Sequence, residues 1–212
     1  MINLLLSDYI NAFSQTKKDY SVEYKEYKGK IALADPKSCS ECRDKVCFGA
    51  NENQVFVVES KENITVVEIE KFFNQFRSDR PKPKNRCDLM IYSADKILFV
   101  DMYCGYQRFV EPYSNTKGFQ LGKLAKVRQQ IGCTIDKLNE VESVKNRIQS
   151  FKECVGLFAY RNKDNEVTGI EEQSMADFME MADSLANPDY YTILSNGVQF
   201  HTIVYPNVYQ WN

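Results

Sequence analysis

RCDLMIYSADKILFVDMYCG, residues 86–105, reads as two short apolar strands joined by a tight turn at Ser93-Ala94-Asp95-Lys96. Asp88 opens the first strand and Asp101 lies near the end of the second. Side chains alternate faces along a strand. Ile97, Phe99, Asp101 and Tyr103 therefore share one face, and Leu98, Val100, Met102 and Cys104 share the other. Two carboxylates brought together by one hairpin form half of a divalent-metal site. A catalytic acid–x–lysine pattern would add a cation beside the second acid. Here that position is Tyr103, and a phenol is neutral near neutral pH. Burying a charge is costly unless it is paired or bound to metal, so an acid within a strand that otherwise reads as buried asks for a partner.

Outward from the hairpin, QVFVVES (54–60) and ITVVEIEKFF (64–73) predict two strands around Lys61-Glu62-Asn63, because they are rich in β-branched residues. A helix running to Phe76 is the alternative for the second. Extended, that stretch would put Glu68 and Glu70 on one face, with Glu68 as a third metal ligand and Glu59 as a further option. Residues 1–18 have helical spacing at Leu4, Leu5, Tyr9, Ile10 and Phe13. Residues 20–34 fit either strand or helix. After a polar loop to about Lys117, the stripe Leu121, Leu124, Val127 and Ile131 predicts a helix, continued by Ile135 and Leu138. ESVKNRIQSF (142–151) reads as a further helical piece and ECVGLFAYRN (153–162) as a strand buried on both faces. SMADFMEMADSLAN (174–187) predicts a helix capped by Ser174, and Asn196-Gly197 a closing hairpin. A strand–helix–strand unit between 96 and 161 implies a parallel pair joined by a crossover. The expected fold is α/β, with a mixed central sheet flanked by helices. It forms a single domain over 1–212: a core at about 64–161, an N-terminal helical and cysteine-containing extension (1–53), and a C-terminal helix plus hairpin (174–206).

With 43% hydrophobic residues and a formal net charge of −2 among 212 residues, the chain can build a sizeable core but carries no global field for capturing nucleic acid or anionic membrane. No apolar stretch approaches the roughly 18 residues of a membrane span. With no signal peptide visible, the seven cysteines are expected to be reduced thiols in a cytoplasmic protein. Cys39, Cys42 and Cys47 have the spacing of a zinc half-site, but no second pair completes it, so ordinary thiols are the expectation. His201, the sole histidine, falls in a strand pattern and reads as a packed or surface residue. Arg77, Arg80, Lys82, Lys84 and Arg86 form a basic loop leading into Asp88, suited to phosphate contact. Tyr103, Tyr106 and Phe109 could stack bases.

The hairpin resembles the core of the PD-(D/E)XK, restriction-endonuclease-like superfamily. Asp88, in Cys87-Asp88-Leu89-Met90-Ile91, matches the first acid of its pattern, and Asp101, in Phe99-Val100-Asp101-Met102-Tyr103, the second. Lys126-Val127-Arg128-Gln129-Gln130-Ile131 resembles the helix that follows, and Val155–Tyr160 the strand after it. The resemblance covers about residues 64–161 and departs at Tyr103, where the family has lysine. It implies a metal-dependent phosphodiesterase ancestry, with magnesium or manganese as cofactor and Asp88 and Asp101 as catalytic and metal-binding acids. The lysine would have to come from Lys117, Lys123 or Lys126, with Lys126 carried as the catalytic candidate. The expectation is a nuclease-like protein with impaired catalysis that binds nucleic acid through Arg80, Lys82, Lys84 and Arg86. The alternatives are an active nuclease with a relocated lysine, or a protein-interaction module of a bacterial defence or toxin-like system.

Overall fold

A computed structural model describes residues 1–13, 19–34, 47–48, 54–76, 82–164 and 192–212. The strands are β1 (Tyr24–Ala34), β2 (Cys47–Phe48), β3 (Gln54–Val67), β4 (Leu89–Tyr92), β5 (Lys96–Gly105), β6 (Tyr113–Asn115), β7 (Gly118–Gln120), β8 (Glu153–Asn162), β9 (Gln199–Val204) and β10 (Val208–Trp211). The helices are α1 (2–13, with a π-helical middle), α2 (Ile69–Asn74), α3 (Gly122–Leu138) and α4 (Glu142–Gln149). The main sheet runs β2-β1-β3-β4-β5-β8-β9, with β10 paired to β3. Along β1, β3, β4 and β5 each strand is antiparallel to its neighbour, while β5, β8 and β9 are parallel. The chain is therefore α/β with a mixed sheet, and the expected crossover is present: α3 and α4 carry it from β5 to β8.

The period-two pattern of the hairpin sets the two faces of the sheet. Ile97 and Phe99 pack with Leu5, Tyr9, Phe72, Phe73, Leu124 and Val127, beneath the helices. Leu98, Val100 and Met102 pack on the opposite face with Ile31, Val55, Phe56, Val58, Leu157 and Ala159. Those last partners show how the second face is covered. The β1–β3 pair bends across it, so that Arg161 on β8 donates to the Gln54 carbonyl at 3.3 Å.

That bend replaces the turn expected at Lys61-Glu62-Asn63. The chain does not reverse there; β3 runs on as one strand of 14 residues. Ser60 Oγ accepts from Glu62 N at 3.2 Å, and across the ladder β1 shifts register between Tyr27 and Gly29. Gly29 has φ 90°, a conformation glycine adopts without a Cβ clash. The strand expected to continue to Phe73 stops at Val67, and the alternative of a helix running to Phe76 is met in part by α2. Ile69, Phe72 and Phe73, spaced three and four apart, bury one helical face instead.

Residues 24–34, undecided between strand and helix, are strand. At the C-terminus the Asn196-Gly197 turn forms, with Gly197 N donating to Leu194 O at 2.9 Å and Leu194 N to Val198 O at 2.8 Å. The strand after it joins β8 in parallel. The helix expected at 174–187 lies outside the described residues. Strand β10 had no clear sequence signal; it is held by Trp211, whose Nε1 donates to Glu62 Oε1 at 2.8 Å and to Ser93 Oγ at 3.3 Å. Trp211→Phe would remove the donor shared by these groups and leave a small void. A loss of about 2 kcal/mol in urea unfolding is expected.

Candidate active site

The register that pairs Leu89 with Val100 places Asp88 opposite Asp101 one step further on. Directly opposed residues of an antiparallel pair share a face. By the same alternation, both acids lie on the helix-covered side with Met90 and Phe99. Asp88 is fixed by several backbone contacts. Its carboxylate Oδ2 accepts the Met102 amide at 2.7 Å, and its carbonyl accepts Glu70 N at 3.3 Å. The two preceding residues are pinned to α3: Gln130 Nε2 donates to the Arg86 carbonyl at 3.0 Å, and Cys87 N donates to Thr134 Oγ1 at 2.9 Å. Gln130 belongs to the stretch that carries the family resemblance; Thr134, fully buried on the same helix, was not among the expected residues.

Asp101 is 1% exposed. Across the parallel ladder it faces Phe158, whose ring stacks on Tyr160 at 5.4 Å. A carboxylate in so apolar a setting needs a positive partner. Lys123 supplies it: Nζ lies 2.9 Å from Asp101 Oδ1 and 5.7 Å from the centre of the Tyr103 ring. The ammonium thus sits against a carboxylate and an aromatic ring at once. Lys123 lies in the first turn of α3, where a cation works against the helix dipole. The pairing with Asp101, midway along β5, accounts for its position there. Burial pushes the Tyr103 phenol above its ordinary value, so it is neutral and leaves the positive charge to Lys123. The Cys87 thiol is pushed up well above its usual range, chiefly by burial and further by the charges of Asp101 and Asp88.

This geometry revises several expectations. Lys126 is solvent-exposed, while Lys123 holds Asp101. Three residues, about 4.5 Å of rise and most of a helical turn, decide the matter, because it is the first turn of α3 that reaches Asp101. Lys117 is exposed in the turn between β6 and β7. Glu68 immediately precedes α2 and does not lie on a strand face. Among the described residues, no group of three or more His, Cys, Asp or Glu side chains could hold a metal, so Glu68 does not complete a trio with Asp88 and Asp101. Glu59 lies beside Gln210 on β10. Arg86, expected to face phosphate, turns inward to Asn74 and to Glu70, 3.7 Å away. Lys82 is half-buried and Lys84 exposed. Arg77, Arg80, Cys39 and Cys42 fall outside the described residues, as does the side chain of Cys47. His201 is exposed on β9.

No family model, curated protein or solved structure matches this chain. Among the described residues, no helix is long and apolar enough to cross a membrane.

Proposed function

We propose that this chain is a nuclease-like protein whose phosphodiesterase site survives with its lysine moved from strand β5 to helix α3. The observation that carries this reading is the Lys123 ammonium, 2.9 Å from Asp101 and over the ring of the tyrosine that stands in the usual lysine position. The strand order β3-β4-β5-β8, with α3 between the last two, supports a restriction-endonuclease-like core.

Asp88 and Asp101 are the residues that would hold magnesium or manganese. Two carboxylates without a third suit Mg²⁺, which keeps several waters and takes its remaining ligands from substrate phosphate. Bound there, such an ion supplies an activated water and neutralises phosphate charge. Lys123 stabilises the negative charge that develops on the phosphoryl oxygens. Tyr103 holds the ammonium in place, and the Met102 amide orients Asp88.

A second reading draws on the burial of Asp101. With the Asp88 carboxylate bonded to the Met102 amide and Lys123 seated on Asp101, the lysine takes the place of the metal. The chain then serves as a catalytically silent nucleic-acid-binding or protein-interaction scaffold. Hydrolysis of DNA and RNA by wild type and Asp101→Ala, in magnesium and in manganese, separates the two. Metal-dependent cleavage lost in the variant supports the first reading. Equal activity in both proteins removes Asp101 from any mechanism.

A further inference from the structure

Strand β5 ends four residues after Asp101, and α3 begins one residue before Lys123. Between them, beside the site, lie a short 3-10 turn (Gln107–Phe109) and the two-stranded ribbon β6–β7. This ribbon is solvated along its length, yet it carries a large apolar ring outward: Phe119 is 67% exposed, and Leu121, just past β7, is 61% exposed. At its base, Tyr106, Phe109 and Tyr113 form a chain of ring contacts at 6.4 and 5.0 Å, and the Arg108 guanidinium lies over both Tyr106 and Phe109, at 5.2 and 4.9 Å. Lys117 sits in the turn of the ribbon.

We propose that the β6–β7 ribbon is a stacking platform for unpaired bases, so that the phosphodiester offered to Asp101 and Lys123 belongs to a single-stranded nucleic acid. This inference rests on the phosphodiesterase reading for its catalytic half and on the ribbon alone for its binding half. Outward rings set among cations are the pattern that binds single strands, because every base presents a π-face and every linkage a phosphate. In a duplex those faces are covered by neighbouring bases. With Lys123 already paired to Asp101, the charges around the ribbon are Arg108, Lys117 and Lys126 against Glu111, whose pKa is raised by burial, and Asp164, whose carboxylate accepts the Gln107 amide at 2.9 Å, a balance that still favours an anionic strand. A protein partner fits less well. Ser114, Asn115 and Thr116 make the rest of the ribbon polar, and two isolated apolar side chains fall far short of the roughly 800 Å² that each side of a stable interface contributes.

The test is fluorescence anisotropy of the full chain with labelled oligothymidylate and with a blunt duplex, in EDTA so that hydrolysis plays no part. The single strand is expected to bind tighter than the duplex. Phe119→Ala should weaken single-strand binding about tenfold, and Phe119→Trp should retain it. Affinity should fall as salt rises. Equal affinity of wild type and Phe119→Ala, as a protein-docking patch would give, overturns the proposal, as does a preference for duplex. Single-strand binding without metal-dependent cleavage would instead defeat the phosphodiesterase reading and leave the platform standing. Cleavage confined to duplex would do the reverse.

Discussion

Lys123→Met is expected to destabilise the fold by about 3 kcal/mol, because it withdraws the cation from a carboxylate buried among Phe99, Phe158 and Tyr103. Burial gives this pair its weight; an exposed lysine pair such as Lys145 with Glu142 should contribute under about 1 kcal/mol. Combining Lys123→Met with Asp101→Asn removes both charges and should recover most of the loss. Hydrolysis should fail in the single and the double variant alike. The double variant lacks a proposed metal ligand and reports on stability alone; the hydrolysis rate of Lys123→Met is what bears on contact with substrate. Urea unfolding of the four proteins in the cycle measures the coupling directly.

Gly122→Ala is the second large effect. Gly122 opens α3 at φ 78°, and a Cβ there would run into the backbone of Glu111 and the Val110 carbonyl. The same junction is tied by Leu124 N donating to Val110 O at 3.0 Å. Backbone cannot step aside as a side-chain tip can, so positive φ and the clash act together, at about 3 kcal/mol. The first turn of α3 would shift, and Lys123 with it. Activity should drop even where the variant remains folded. A Gly122→Ala protein with wild-type stability and wild-type hydrolysis would show that the start of the helix does not position the lysine.

The elements that carry the acids could be read from the residues because each rests on a simple period. Alternation along 96–105 assigns Asp101 and Tyr103 to one face, and the helical stripe from Leu124 to Leu138 assigns that face its cover. The length between the two apolar strands requires a crossover. What could not be read depends on contacts between elements. Lys123 and Lys126 are three residues apart on one helix, and only the height of α3 relative to β5 chooses between them. Arg86 reads as a phosphate ligand until Ile69–Asn74 is seen as a helix that brings Glu70 and Asn74 to it. The β-branched run ITVV continues β3 correctly, but the buried pattern of Ile69, Phe72 and Phe73 wins over β-propensity immediately after it. Strand β10 is short, and its pairing with β3 becomes evident only once β3 bends over the sheet.

In the proposed site the lysine of a phosphodiesterase has moved from position 103 to position 123. The most direct measurement is the initial rate of single-stranded and duplex nucleic-acid cleavage in manganese or magnesium by wild type, Asp101→Ala and Lys123→Met. Metal-dependent cleavage by wild type is expected, with a fall of at least about 100-fold in each variant. Cleavage by Lys123→Met at the wild-type rate, or no cleavage by wild type under any of these conditions, would show that Lys123 is not that lysine.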